Sequence, residues 1–298
     1  MLLLTGATGL VGSAVLRRLV AEGDEVRCLV RNPRRLGAQR VRVQIALGDL
    51  TDPPSFRNAL RGVHTVVHLA ASIRDQPRGS IEELNGIATW RMVEAAERSG
   101  VERFVFFSAL GASTHQRARC FRAKALAEQA VRDSRLRSTV FAPSIVYAPG
   151  DPWLTLLERL ALLPVMPVSG RGRASYQPIW VEDVADCVIA SLRAGNGDGP
   201  QAERHQRYEL AGPQSLSYND IVHAVLRSMN RRRPLLHVPT ALVSRTLRLL
   251  EAGWGPRAFA TWDEAELMEV PMISTRGTAD AERLGVKPAA LAAVLGTG

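Results

Sequence analysis

The chain has 298 residues, 46% hydrophobic and 22% charged, with a net charge of +9: enough apolar content for one large domain, or a core domain with a smaller partner. No apolar run approaches the roughly 18 residues of a membrane helix, and Leu2-Leu3-Leu4 lacks the basic start of a signal peptide. Cys28, Cys120 and Cys187 are scattered, which argues against a disulfide framework or a metal site and for a reducing, cytoplasmic setting.

Met1 to Thr5 is an apolar strand that runs into Gly6-Ala7-Thr8-Gly9-Leu10-Val11-Gly12, and residues 13–22 read as a helix. Strand, glycine turn and helix in that order make a binding site for a dinucleotide pyrophosphate. Gly6 permits the sharp turn, Gly9 lets backbone N–H groups approach the phosphates, and Gly12 lets the helix pack on the strand. The helix N-terminus adds unpaired donors and partial positive charge.

Further strands are expected over residues 25–30, 41–47 and 63–69. A long helix follows over 81–99, stopped by Gly100, then a strand over 101–107 that ends at Ser108. Residues 119–134 read as a helix and 138–142 as a strand before Pro143. The alternation implies right-handed crossovers and an α/β, doubly wound parallel sheet, with residues 1–147 as its dinucleotide-binding core. Past Tyr147, prolines and glycines punctuate a substrate-lobe insertion over 148–176. Residues 177–211 are expected to return to the core: 177–181 and the helix after Asp183 rejoin the sheet, and 208–210 add one more strand. Residues 212–298 form a smaller, mostly helical C-terminal lobe.

An NAD-preferring fold carries Asp or Glu about 20 residues past the glycines. Here that place holds Val30-Arg31, followed by Asn32-Pro33-Arg34-Arg35. A guanidinium there binds a 2′-phosphate bidentately, so the expected cofactor is NADP(H) rather than NAD(H), with Arg31 and Arg34 among its contacts. Asp49 and Leu50 would bracket the adenine, and Leu69-Ala70-Ala71 are small enough to let the cofactor cross the sheet edge. His68 reads as a packed strand residue. Of the 38 basic residues, only Lys124 and Lys287 are lysines; the arginines are spread along the chain without interleaved aromatics, which disfavours nucleic acid as a partner.

Together these residues resemble the short-chain dehydrogenase/reductase superfamily, in its extended and atypical branches that include the NAD-dependent epimerase/dehydratases. The likeness runs through residues 5–12, Gly48-Asp49-Leu50, 68–71, Asn85-Gly86, Ser108, Lys124, Pro143-Ser144-Ile145-Val146-Tyr147 and 181–185. Residues 108–112, Arg122-Ala123-Lys124 with Glu128, and 278–286 look most like the atypical subgroup containing the reductase-like accessory subunit of respiratory complex I. The resemblance implies a Rossmann-type fold, cofactor contacts at Ser108, Lys124, Pro143, Ser144 and Ile145, and, in that subgroup, a nucleotide held structurally. It also implies a Tyr-x-x-x-Lys pair on one helix face, the tyrosine moving a proton and the lysine lowering its pKa. This chain has Cys120-Phe121-Arg122-Ala123-Lys124. Lysine is in place, Cys120 replaces the tyrosine, and the superfamily's Ser or Thr two residues past Ser108 is Leu110. Lys124, Ser108 and Cys120 are therefore the candidate catalytic residues of an impaired relay.

Three functions follow as expectations. The first is a low-turnover NADP(H)-binding protein serving stability, assembly or redox sensing. The second is an active oxidoreductase that uses Tyr147, Tyr176 or a water held by Ser108, on a bulky apolar carbonyl substrate among Trp153, Leu154, Leu156, Leu157, Val165 and Met166, although lobe core is the favoured reading for most of these residues. The third, a nucleotide-sugar epimerase or dehydratase, needs the absent tyrosine. Arg231-Arg232-Arg233 and a helix over 241–250, with Arg245 and Arg248 between leucines, offer a surface for an anionic membrane or an acidic protein; a lobe helix with a solvated basic face is the favoured alternative. Trp254, Trp262 and residues 264–268 are expected to close the lobe against the cleft. No helix seam marks an oligomer.

Overall fold

The computed structural model describes residues 1–194, 204–245, 247 and 262–296. Strands β1 (Leu2–Thr5), β2 (Val26–Val30), β3 (Gln44–Leu47), β4 (Thr65–His68), β5 (Arg103–Phe107) and β6 (Arg137–Pro143) are joined by the helices α1 (Leu10–Ala21), α2 (Pro53–Phe56), α3 (Ala88–Arg98) and α4 (Arg119–Asp133). Beyond them come β7 (Val146–Tyr147), α5 (Pro152–Leu160), β8 (Met166–Ser169), β9 (Ser175–Tyr176), β10 (Ile179–Trp180), α6 (Val181–Ala194) and β11 (His205–Leu210). The lobe adds β12 (Leu216–Ser217), α7 (Tyr218–Ser228) and β13 (Leu235–Val238).

The main sheet has seven strands in the order β11-β6-β5-β4-β1-β2-β3, all parallel. The order reverses between β1 and β4, the switch point at which open α/β sheets bind ligands beyond their strand ends. Period-two alternation sorts the side chains of β1. Leu2 and Leu4 pack with Val15 and Leu19 of α1 and Val184 and Val188 of α6, while Leu3 packs on the other face with Phe56, Met92, Phe104 and Val131. Both faces are thus covered by helices, as the expected doubly wound architecture requires.

Three expectations need correction. Helix α1 starts at Leu10, not residue 13, because Gly9 itself is the N-cap in extended geometry. The third strand spans only Gln44–Leu47; Asn32 caps a 3₁₀ segment over Pro33–Val41, and Val41 is 80% exposed. Residues 177–181 do not rejoin the sheet. Ile179 and Trp180 pair with Val146 and Tyr147 in a separate two-stranded sheet, since β11 takes the free edge of β6, with Leu210 opposite Pro143. Gly212 then passes so close to the Pro178 carbonyl that a Cβ would stand 1.8 Å from its oxygen.

A third core joins Leu154 and Leu157 of α5, Ile221 and Val222 of α7, and Tyr147, Tyr176, Cys120 and Phe121. Leu154, Leu157 and Met166 are lobe core, whereas Val165 is exposed. Asp151 caps α5 by accepting the Leu154 N–H at 2.9 Å, and Ser217 with Asp220 forms a capping box on α7. Asp183 sits in the first turn of α6 and accepts the Ala289 N–H at 2.8 Å. Near the end of the chain, Ala281 joins the core beneath α1, and Asp280 accepts the Glu209 N–H of β11 at 2.9 Å.

Candidate functional site

At the switch point the loops after β1 and β4 meet in van der Waals contact. Gly6 has φ +71, and a Cβ on it would stand 2.6 Å from the Ala70 nitrogen. A Cβ on Gly12 would stand 2.1 Å from the Gly6 carbonyl oxygen, which accepts the Gly9 N–H at 2.9 Å. The loop therefore lies flat on the first turn of α1. No side chain caps that turn and no acidic residue stands in it, so its N–H groups face outward unneutralised. Such a cradle suits a pyrophosphate, whose charge meets donors with no side chain between.

The cradle opens into a cavity of about 500 Å³. Gly6, Ala7, Thr8 and Gly9 line one part; Arg31, Arg35, Asp49 and Leu50 line the end toward β2 and β3; Leu69, Ala70 and Ala71 close the side toward β4. Leu10, Val11 and Gly12 stand behind the cradle in α1 and do not line the cavity. Arg34 does not line it either: its backbone N–H is tied to Asn32 Oδ1 at 3.0 Å, and the next guanidinium, Arg35, takes the place. Arg31 donates to Gln76 Oε1 at 3.0 Å. Burial opposes the Asp49 charge, but the Thr51 N–H and hydroxyl, with Arg31 and Arg78 nearby, outweigh it and hold the carboxyl below its usual range. Sequence reasoning missed Arg35, Ser72, Gln76 and Leu84 on the lining. Arg35 had a signal in its arginine run; the others had none.

Beneath the cavity, a polar chain fixes the β4 loop. His68 bonds Thr5 Oγ1 through Nδ1 at 2.9 Å and Thr89 Oγ1 through Nε2 at 3.1 Å. Burial, and then the Lys124 charge, hold it down to about 3, so it is a neutral packed residue as expected. Asn85, in a π-helical turn (Glu83–Ile87), donates to the Ser72 carbonyl at 2.6 Å and accepts the Ser72 N–H at 3.1 Å, which holds the loop at the cavity wall.

On α4, four residues place Cys120 and Lys124 on one face. Lys124 Nζ donates to the Phe107 carbonyl at 2.7 Å and lies 5.8 Å from the centre of the Phe106 ring. Burial lowers its pKa, against the opposing pull of Cys120 and Glu128. Cys120 is buried, its Sγ 4.0 Å from the Ser72 carbonyl oxygen. Ser108 is buried and its hydroxyl has no hydrogen-bond partner among the described residues; the same holds for the Tyr147 hydroxyl. Tyr176, in contrast, donates its hydroxyl to the Met268 carbonyl.

Pro143, Ser144 and Ile145 do not line the cavity. Their polar groups are engaged with other loops: the Pro143 carbonyl accepts from Leu110, Ser144 Oγ donates to the Met272 carbonyl at 2.8 Å, and the Ile145 carbonyl accepts from Ile179. Glu264 forms a bidentate pair with Arg74, which brings the 264–268 segment beside the β4 loop. Trp254, Arg248 and the side chain of Trp262 lie outside the described residues; residues 240–245 are helical and Arg245 is exposed.

The NAD(P)H-binding family matches residues 6–194. The chain is 34% identical over 267 residues to sterol demethylase protein B of Methylococcus capsulatus, covering 81% of this chain and 78% of that protein. It is 28% identical over 240 residues to the mitochondrial NADH dehydrogenase (ubiquinone) 1 alpha subcomplex subunit 9 of Arabidopsis thaliana, covering 77% of this chain but only 58% of that subunit. Among solved structures, the NADPH-dependent quinone oxidoreductase of Escherichia coli, complexed with NADPH, superposes with a TM-score of 0.77 at 18% identity over 99% of both chains, a likeness of fold. With its glycine cradle at a Rossmann switch point and that match across residues 6–194, the chain belongs to the NAD(P)H-binding family, within the atypical short-chain dehydrogenase/reductases.

Proposed function

We propose that the protein binds NADP(H) at the switch-point cavity and holds it with little or no turnover, as a structural, assembly or redox-sensing component. The observation that carries this reading is position 120: Lys124 is in place, yet the residue one turn before it is a buried thiol against a backbone carbonyl, not a phenol. In this reading the open N–H groups of α1 hold the pyrophosphate, Asp49 and Leu50 frame the adenine, and Arg31 with Arg35 takes the 2′-phosphate. When bound, the nicotinamide supplies or accepts a hydride. A carbonyl reduced that way also needs a proton at its oxygen. Lys124 spends a donor on Phe107, and Cys120 is too short for the role of a tyrosine. The kinship with a complex I subunit is compatible with a nucleotide that stays bound.

A second reading, an active oxidoreductase on an apolar carbonyl substrate, is favoured by the buried hydroxyls of Ser108 and Tyr147, which have no partner among the described residues. Burial, and then Asp183, push the Tyr147 phenol well above its ordinary range, so it stays protonated and able to donate. The relative named for sterol demethylation is compatible with this reading. The nucleotide-sugar reading has only a likeness of fold behind it.

The test is a fluorescence titration of nucleotide-stripped protein with NADPH and NADH, followed by NADPH oxidation across a panel of carbonyls for wild type and Cys120→Tyr. NADPH should bind more tightly, wild type should show no steady oxidation, and Cys120→Tyr should gain it. Steady oxidation by wild type would overturn the first reading, and its loss in Tyr147→Phe would establish the second.

A further inference from the structure

Outside the cavity, four segments of the lobe end together. Helices α5 and α7 both terminate there, and β8 and β13 both start there, paired in parallel with Leu235 opposite Met166. The Met166 N–H donates to the Pro234 carbonyl at 2.9 Å, which places the turn before β8 beside the turn before β13.

The first of these turns is Leu162-Leu163-Pro164-Val165, four successive exposed apolar residues. Leu162 is 57% exposed and Leu163 45%, and Leu236 on the adjoining strand is 52% exposed. Single exposed apolar residues are ordinary, but a contiguous patch marks an interaction site. The turn does not belong to a loose segment: Leu157, Ala161 and Met166, on either side of it, are fully buried. A packed base thus presents an apolar tip.

The second turn is basic. Arg227, Arg231, Arg232 and Arg233, with His223, line a cavity of about 350 Å³ beside Pro234. No salt bridge among the described residues engages any of these four arginines, and the Nε of Arg233 is buried without a partner. Elsewhere the fold pairs arginines readily: Arg18, Arg91, Arg193 and Arg207 all meet carboxylates. The carboxylate of Asp220, on α7, is engaged first by the Ser217 hydroxyl and N–H, and the charges of His223 and Arg227 also reach it, without a salt bridge. Glu158, in the last turn of α5 beside Arg159, is the acidic residue at this end of that helix.

We propose that this pole docks on a lipid bilayer, with the 162–165 turn entering the interfacial region and Arg227 and Arg231 to Arg233 binding anionic headgroups. An apolar tip with a basic collar matches both layers of a membrane surface. An acidic protein would satisfy the collar and leave the tip in polar surroundings. Arginine suits headgroup depth because its apolar stem can lie against the acyl boundary while the guanidinium stays at the phosphates. No helix among the described residues is long and apolar enough to cross a membrane, so the contact proposed here is peripheral. The inference is independent of the cofactor reading.

The experiment is flotation of the full chain with vesicles of phosphatidylcholine alone, and with roughly one quarter phosphatidylglycerol. The protein should float with the anionic vesicles and dissociate as salt rises. Arg231→Ser/Arg232→Ser/Arg233→Ser should lower the partition coefficient about a hundredfold, taking each arginine as worth about fivefold at an anionic surface. Leu162→Ser/Leu163→Ser should lower it at least about tenfold while the thermal melt stays at the wild-type temperature. Absence of wild-type flotation at low salt would overturn the proposal, as would equal flotation of all three proteins. A dimer abolished by Leu162→Ser/Leu163→Ser without vesicle binding would overturn it in favour of self-association. Binding to polyglutamate without vesicle binding would do so in favour of an acidic protein.

Discussion

Gly12→Ala is the sharpest perturbation of the cradle. The new Cβ would stand 2.1 Å from the Gly6 carbonyl oxygen and 2.7 Å from its carbon, more than an ångström inside ordinary contact. Gly6 has little room to yield, since it is pressed against the Leu69–Ala70 peptide and its oxygen accepts the Gly9 N–H at 2.9 Å. Overpacking of this kind costs about 1–3 kcal/mol, and loss of the turn hydrogen bond adds about 1 kcal/mol. At roughly 2–4 °C per kcal/mol, the melting temperature should fall by about 4–16 °C. Binding should suffer more. Displacing two donors that face a pyrophosphate removes about 3 kcal/mol, a hundredfold or so in Kd. The assay is an NADPH fluorescence titration and a thermal melt on the same preparation, with Gly86→Ala as control. A Cβ on Gly86 would make only an ordinary 3.6 Å contact with the Ala123 carbonyl oxygen, so that variant should behave as wild type. If Gly12→Ala bound NADPH within about threefold of wild type and melted at the same temperature, the pyrophosphate assignment of this loop would fall.

Arg31→Ser should weaken NADPH by about tenfold or more and leave NADH nearly unchanged, because only the former carries the 2′-phosphate; equal losses for both would reject that contact. His68 should impose an acid limit on stability. Its folded pKa of about 3 lies below the ordinary 6.5, so above pH 6.5 neither state binds the proton and the stability is fully present. As pH falls from 6.5 toward 3 the unfolded chain takes up a proton that the fold refuses, and stability drops by about 1.4 kcal/mol per pH unit, or about 2 kcal/mol by pH 5. Urea midpoints measured across that range should flatten in His68→Asn, and an unchanged slope would assign the loss to other groups. Asp151→Ala should cost about 1 kcal/mol through the lost cap on α5, read as a lower urea midpoint at unchanged m-value.

Legibility from sequence follows how local each constraint is. Gly6, Gly9 and Gly12 are readable because backbone geometry alone demands them, and the contacts at Gly6 and Gly12 are all to main-chain atoms. The parallel sense of the first six strands is readable because strand and helix alternate and the crossovers have one hand. The place of residues 179–180 is not, because two segments compete for the edge of β6 and the longer β11 takes it with six paired residues. Arg35 rather than the expected Arg34 lines the cavity, in a 3₁₀ segment capped by Asn32, a local geometry no composition records. Ser72 and Gln76 reach the cavity through a loop held by Asn85, and a loop residue carries no periodicity to announce it. The apolar stretch after α5 shows the converse. In sequence Val165 reads with Leu154, Leu157 and Met166 as lobe core; those three are buried, whereas Leu162, Leu163, Pro164 and Val165 are exposed. Hydrophobic identity states that a side chain leaves water favourably but not what receives it. In α5 the acceptor is α7. At the turn, where both helices have already ended, no described part of the fold covers the side chains, and an acceptor from outside the described fold is what the physics calls for.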